Sequence, residues 1–223
     1  MRIKNFTIYG ERCSGTNYLE LLINKNFKLP VTWDYGWKHY FGFSDLSKSN
    51  DTLFLGIVRN PVDWLNSLWN QPHHIVYSAK KDKYSFLNKK IWSIHDSGKT
   101  SEKHDFGKDN LQSYHLYEKN RPYNNIFELR SIKAEFLHSK MPFMVNNFHF
   151  IKYEDLKNNT SESLNIISNK FDLKLNNNAV ENILTYKKEN KPFLNNKIKN
   201  EFILNDVIEK ININTERLIG YNL

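Results

Sequence analysis

Two glycines, Gly10 and Gly15, bracket Glu11-Arg12-Cys13-Ser14 and are followed by Thr16-Asn17. Gly-x-x-x-x-Gly at the start of a helix is the spacing of a phosphate-binding loop, in which backbone N–H groups without a helical partner converge on an anion. In nucleotide-hydrolysing versions a lysine follows the second glycine, then a Ser/Thr hydroxyl that holds Mg²⁺. Thr16 and Asn17 occupy those places. The loop keeps the cradle and lacks the lysine and the metal-holding hydroxyl. That pattern points away from ATP hydrolysis and toward a phosphate-bearing donor handled without a metal.

Such a loop works only between a strand that delivers it and a helix that leaves it. Phe6 to Tyr9 reads as the strand, and Tyr18, Leu19, Leu22 and Ile23 mark the apolar side of the helix. Pro30 breaks that helix, and the chain restarts extended through Leu29–Trp33 and on through Trp37-Lys38-His39-Tyr40-Phe41. Thr52–Val58 is almost continuously apolar, as a strand buried on both faces of a parallel sheet must be. It ends at Arg59, after which Asn60 and Pro61 suit the cap and first turn of a helix carrying Val62, Leu65, Leu68 and Trp69. Helical spacing returns from Asn124 to about Lys140, and Phe148–Tyr153 alternates like a strand ending at Glu154-Asp155. Helices are expected over 160–171, 177–189 and 199–211, with a last short one over 214–220 closed by Gly220. The alternation of strands and helices predicts an α/β protein: a three-layer α/β/α arrangement around a central, mainly parallel sheet.

The 223 residues suit one such domain, 1–223. Residues 72–122 break the pattern, being rich in Lys, His, Asn and aromatics with weak periodicity, and read as an insertion covering an acceptor site rather than a core element. The formal charge of +8 favours polyanionic ligands, although lysine-rich surfaces throughout the chain account for such an excess equally well. The single cysteine, Cys13, excludes an internal disulfide and a cysteine-based zinc site, and its place in the loop suits a small-side-chain requirement better than a catalytic thiol. His73, His74, His95, His104 and His115 lack metal-site spacing, so no metal is expected. No apolar run is long enough to span a bilayer, and Met1-Arg2-Ile3-Lys4-Asn5 leads straight into a strand, which together predict a cytoplasmic protein.

Four islands resemble the sulfotransferase family that uses 3′-phosphoadenosine 5′-phosphosulfate. Arg12-Cys13-Ser14-Gly15-Thr16-Asn17 resembles that family's 5′-phosphosulfate loop, commonly Pro-Lys-Ser-Gly-Thr-Thr. Arg59-Asn60-Pro61-Val62-Asp63 followed by Ser67 resembles its 3′-phosphate site, and Trp37-Lys38-His39 is similar to the element supplying its catalytic base. Ile151-Lys152-Tyr153-Glu154-Asp155-Leu156 is like its Tyr-Glu-Asp-Leu strand end. More weakly, Glu216–Tyr221 resembles bacterial and viral members acting on carbohydrates. The resemblance implies a P-loop-NTPase-like sulfotransferase fold and a metal-free sulfuryl transfer from that donor to a hydroxyl, with a carbohydrate as acceptor and no nucleic-acid partner. Two departures stand out. Cys13 occupies the position of the family's loop lysine, leaving Arg12 or Lys38 to take its role, and the C-terminal glycine-rich nucleotide loop is absent.

In-line sulfuryl transfer needs an anion cradle, a base for the acceptor hydroxyl and positive charge at the leaving oxygen. The N–H groups of Ser14 to Asn17 with the Thr16 hydroxyl and the Asn17 amide supply the cradle, and Arg12 and Lys38 the charge. His39 is the natural base, since an ordinary imidazole is mostly neutral at neutral pH. Arg59 suits a phosphate bidentately and Ser67 adds a donor. Arg130 and Lys133, one helical turn apart, face either a phosphate or water; Glu154 and Asp155 suit the start of a helix. Tyr77, Tyr84, Trp92, Tyr114 and Tyr117 with His73 and His74 are candidate acceptor contacts. Two other classes remain: a P-loop nucleotide-binding protein or small-molecule kinase using ATP, and a non-catalytic polyanion or nucleic-acid binder.

Overall fold

The computed structural model describes residues 2–41, 45–72, 74–95, 111–113, 115–118, 120–186, 191–192 and 201–223, without the side chains of 94, 95, 111–113, 186, 191 and 192. Its centre is β2 (Thr52–Val58), all seven residues of which are buried. β1 (Asn5–Tyr9) pairs with it in parallel, Asn5 opposite Thr52 through Tyr9 opposite Gly56. β5 (Phe148–Lys152) pairs in parallel on the other side, Phe54 opposite Phe148 through Val58 opposite Lys152. The order is β1-β2-β5, with the short α5 (Met141–Met144) leading toward β5, and β3 (Ser93–His95) pairs with β4 (Leu111–Ser113) apart from this sheet. Outside β1 runs the extended segment around Val31, a single parallel bridge in which Phe6 N–H donates to the Pro30 carbonyl at 3.0 Å and Thr32 N–H to the Phe6 carbonyl at 2.7 Å. Proline contributes only the acceptor it still has. The strands being parallel, their carboxyl ends open on one edge.

Side-chain alternation divides the core. Phe6 and Ile8 of β1 and Leu53, Leu55 and Ile57 of β2 pack with Leu19, Leu22 and Ile23 of α1 (Thr16–Phe27) and with Leu164 and Ile167 of α7 (Thr160–Phe171). Tyr9, Phe54 and Val58 instead meet Ala134 and Leu137 of α4 (Ile126–Ser139), together with Met141 and Ile219. Both faces of the sheet are thus covered, which is why β2 carries an unbroken apolar run rather than an alternating one. α2 (Pro61–Asn70) starts as its sequence dictates: Asn60 Oδ1 accepts from the N–H groups of Val62 at 3.0 Å and Asp63 at 3.3 Å, with Pro61 in the first turn. Asn125 caps α4 in the same way.

Three expectations are corrected. No helix forms over 177–186: that stretch is irregular up to the two-residue strand β6 (Thr185–Tyr186), and 187–189 lie outside the described residues. Asn26 of α1 captures the chain there, accepting from Glu181 N–H and donating to its carbonyl at 2.8 and 2.9 Å. Of 199–211, only Leu204–Val207 (α8) is α-helical, with a short 3₁₀ turn after it and 199–200 outside the described residues. There the Asn66 amide oxygen accepts from the N–H groups of Glu201 and Phe202 at 2.8 and 2.9 Å, holding the backbone open against α2. The described part of 72–122 contributes to the core, contrary to expectation. Ile75, Ala79, Phe86 of α3 (Lys83–Asn88) and Ile91 are buried against Trp64, Leu65 and Leu68 of α2 and Ile126 and Leu129 of α4. The last helix, α9 (Ile213–Leu218), ends before Gly220 at φ 88°, close to expectation. No described helix is long and apolar enough to cross a membrane.

Candidate anion-binding active site

The carboxyl edge of the sheet collects the loop from β1, Arg59 from β2, Tyr153 from β5 and the 37–39 segment. Both bracketing glycines are required by close approach. A Cβ on Gly10 would lie 2.6 Å from Ile57 Cγ2 and 2.7 Å from the Ile57 carbonyl, and Gly15, at φ 95°, has the Tyr153 ring against the place of its Cβ. Gly15 is also the N-cap of α1 and supplies no side-chain cap. The first turn of α1 closes with Leu19 N–H on the Gly15 carbonyl, so the N-terminal end of the helix, where N–H groups point outward, faces the loop. Ser14 is buried, and its N–H donates to the Glu11 carbonyl at 3.2 Å.

Arg12 is 4% exposed. Its Nη1 and its backbone N–H both donate to Glu11 Oε1, the latter at 2.9 Å, and its carbonyl accepts from Trp64 Nε1 at 2.8 Å. Its Nε and Nη2 are buried and have no hydrogen-bond partner among the described residues. On the other Glu11 oxygen, Lys133 Nζ donates at 2.6 Å, and the same ammonium donates to the His39 carbonyl at 2.7 Å. Burial pushes Glu11 up, but Lys133, Arg12 and the Lys133 hydrogen bond outweigh it and hold its carboxyl at about 2. Burial pulls Lys133 below the usual lysine range, with Glu11 opposing. Two cations against one carboxylate leave the cluster one positive charge in excess. Buried unpaired charge is costly, so a site built this way gains when an anion arrives.

His39 completes the cluster. Its Nδ1 lies 2.6 Å from the Gly10 carbonyl, and since a carbonyl only accepts, Nδ1 carries the proton and Nε2 is the acceptor nitrogen. Burial, then the charges of Arg12 and Lys38, lower its pKa well below 6.5 and keep it neutral. The Lys38 carbonyl accepts from Gly10 N–H at 3.0 Å, and the Trp37 ring meets the His39 ring edge-on at 4.6 Å. The Lys38 ammonium itself turns to α1, donating to Asn17 Oδ1 at 2.6 Å and Glu20 Oε2 at 3.2 Å.

Arg59 Nη1 donates to the Cys13 carbonyl at 3.2 Å, its guanidinium lies 4.9 Å from the Tyr153 ring centre, and its buried Nε has no partner among the described residues. The Cys13 thiol donates to the Gln71 carbonyl at 4.0 Å with Ser67 beside it, and burial raises the thiol's pKa, keeping it protonated. Cys13 is held at φ 63°. The structure therefore brings Arg12, Cys13, Ser14, Gly15, Thr16, Asn17, Lys38, His39, Arg59 and Ser67 to one edge.

Arg130 and Lys133 are buried in ion pairs rather than turned to water. Arg130 is buried, pairing with Glu216 through Nε at 2.6 Å and Nη2 at 2.8 Å, and Nη2 also donates to the Arg59 carbonyl at 2.9 Å. Glu154 lies in the first turn of α6 (Tyr153–Asn158), as expected. Its side chain also accepts from Asn60 N–H at 2.8 Å and the Tyr221 hydroxyl at 2.6 Å. Glu11 and Glu216 are parts of the site that sequence reasoning gives no role, and the buried place of Lys133 is likewise not expected from it. Their one local signal is a carboxylate, Glu11, inside a loop shaped for anions, which needs a buried cation to be tolerated. Of the acceptor candidates, Tyr77, Tyr84 and Tyr117 are exposed and the His74 ring lies 5.3 Å from that of Trp37, whereas His73 and Tyr114 lie outside the described residues. Among the described residues no three His, Cys, Asp or Glu side chains form a metal-binding group. No protein-family model matches the chain, and neither does any curated protein.

Proposed function

We propose that the protein is a sulfotransferase that moves a sulfuryl group from 3′-phosphoadenosine 5′-phosphosulfate to a hydroxyl acceptor, a carbohydrate in the reading that the sequence resemblance favours. The observation that carries the proposal is the pair of unpartnered, buried Arg12 nitrogens beside a neutral His39 at a glycine-bracketed helix N-terminus. On this reading the covered sheet is the three-layer α/β/α core of a P-loop-like sulfotransferase. Arg12 takes the role of the family's loop lysine, while Lys38, held by Asn17 and Glu20, serves from the rim.

The donor supplies an activated sulfur whose bond to the bridging phosphate oxygen breaks as a bond from the acceptor oxygen forms. His39 Nε2 takes the proton from the acceptor hydroxyl, a role its Nδ1–H bond to Gly10 prepares by fixing the tautomer. Arg12 offers Nε and Nη2 to the charge that the departing adenosine 3′,5′-bisphosphate carries on its 5′-phosphate. Backbone N–H groups from Thr16 onward orient that phosphate, and Arg59 with Ser67 suits the 3′-phosphate. Thermal-shift titration tests the reading. Adenosine 3′,5′-bisphosphate is expected to stabilise the protein without Mg²⁺; stabilisation by Mg-ATP alone would replace the proposal with an ATP-using one.

A further inference from the structure

Helix α4 lies outside the loop, yet two of its side chains reach both halves of the site: the backbone of His39 and of Arg59, and the carboxylate that grips Arg12. Lys133 bridges Glu11 Oε2 and the His39 carbonyl, 2.6 and 2.7 Å away, and through Glu11 it touches the carboxylate that grips Arg12. One turn earlier, Arg130 holds the Arg59 carbonyl at 2.9 Å while gripping Glu216 of α9 with two nitrogens. Residues three apart on a helix share a face, so these two contacts come from one rigid stripe.

We infer that α4 is the spine of the site: Lys133 and Arg130 are positioning residues that hold the Arg12–His39 half and the Arg59 half in fixed register. The inference rests on the sulfotransferase reading for its chemistry but not for its geometry. A buried lysine at 2% exposure is an expensive way to stabilise a fold, since a well-packed apolar residue of similar volume serves as well or better. Holding two separate chain segments by one ammonium with several donors is something an apolar residue does not do. Arg130 repeats the device with a planar fork, two nitrogens on one carboxylate and one of them also on a carbonyl.

The test uses the double variant Glu11→Gln/Lys133→Met, which removes both charges together and avoids leaving one of them unpaired, alongside Lys133→Met alone and Arg130→Met. The first readout needs no ligand: the pH titration of the His39 ring by NMR, assigned with His39→Gln. His39 is faced by Arg12 and Glu11 from the loop, by Lys38 from its own segment and by Lys133 at its carbonyl. Deleting Glu11's charge alone lowers the His39 pKa further. A rise in the folded double variant therefore reports the segment leaving its buried place, and is the expected result. An unchanged or lower midpoint overturns the positioning role of Lys133.

The second readout is adenosine 3′,5′-bisphosphate affinity. Arg130→Met and the double variant are each expected to weaken it on the order of tenfold, within the coupling range of groups in one hydrogen-bond network. Wild-type affinity in folded variants makes α4 merely structural. Absence of binding by the wild type removes the sulfotransferase reading and leaves the His39 titration to decide the inference.

Discussion

Two cations serve the loop and are held in opposite ways. Arg12 belongs to it, its guanidinium having one nitrogen on Glu11 and two that no described residue takes up. Lys38 lies at its rim with its ammonium on Asn17 and Glu20. An ammonium whose carboxylate partner stays beside it brings little net charge to a ligand. A buried guanidinium with idle N–H groups brings charge and geometry together, because its unmade hydrogen bonds are a cost that only a bound group removes. Both residues are buried, so satisfaction, rather than burial or distance along the motif, ranks the two.

The widest separation is expected from Arg12→Met. Losing hydrogen bonds to a charged group of about 3 kcal/mol corresponds to roughly 100-fold in bisphosphate affinity. Turnover should fall by about 10³, as when one oxyanion-hole donor is removed. Calorimetry and a sulfuryl-transfer assay measure both, with Lys38→Met expected to cost less than about tenfold in each. A larger loss in Lys38→Met would invert the ranking.

Next in size is His39→Gln, expected to lower turnover about 100-fold while leaving bisphosphate affinity unchanged. Because burial, and then the charge of Arg12, hold His39 well below 6.5, kcat/KM should stay flat as the pH falls from about 8 to 6.5 and decline only below that. An acid limb centred at 6.5 or higher would mean an imidazole outside the buried cluster.

Stability sharpens the buried side of the comparison. Glu11's folded pKa is about 2 against an ordinary 4.5, so its contribution is complete above about 4.5 and is lost as pH falls toward 2. A difference of that size is worth about 3 kcal/mol. His39 acts in the same sense from a higher pH, since a depressed imidazole loses stability as pH drops below 6.5. Chemical unfolding from neutral pH down to about 3 should show Glu11→Gln less stable at the top, with the gap to wild type closing below 4.5. A constant gap would mean Glu11 is not ionised in the folded protein.

What the sequence disclosed follows the same division between local and distant partners. The β2 run, the Asn60-Pro61 cap and the glycine loop are written in neighbouring residues and were legible. The irregular stretch after Asn176 was not, because Asn26, far away on α1, takes the hydrogen bonds a helix would have made; Asn66 does the same to Glu201 and Phe202. Arg130 and Lys133 had the helical spacing of a surface pair. Their carboxylates stand 86 and 122 residues away, and only the sheet's topology brings them together. Grouping the site residues needed motif spacing; ranking Arg12 above Lys38 needed the hydrogen-bond partners each finds in the fold, which no local pattern carries.

The smallest expected effect isolates the rim. Glu20→Gln leaves Lys38 on Asn17 and removes the carboxylate that offsets its charge. The pair is partly exposed, with the Glu20 side chain at 24%, so the change should raise bisphosphate affinity only about twofold, and less as salt is added. The sign matters more than the size. If Lys38 is a rim cation held back by Glu20, removing the carboxylate releases it toward an anion and affinity rises. If Glu20 instead aims Lys38 at the ligand, as Glu11 grips Arg12, affinity falls. A fall would make the two cations variants of one device, each positioned by its own carboxylate, and their unmade hydrogen bonds would no longer separate them.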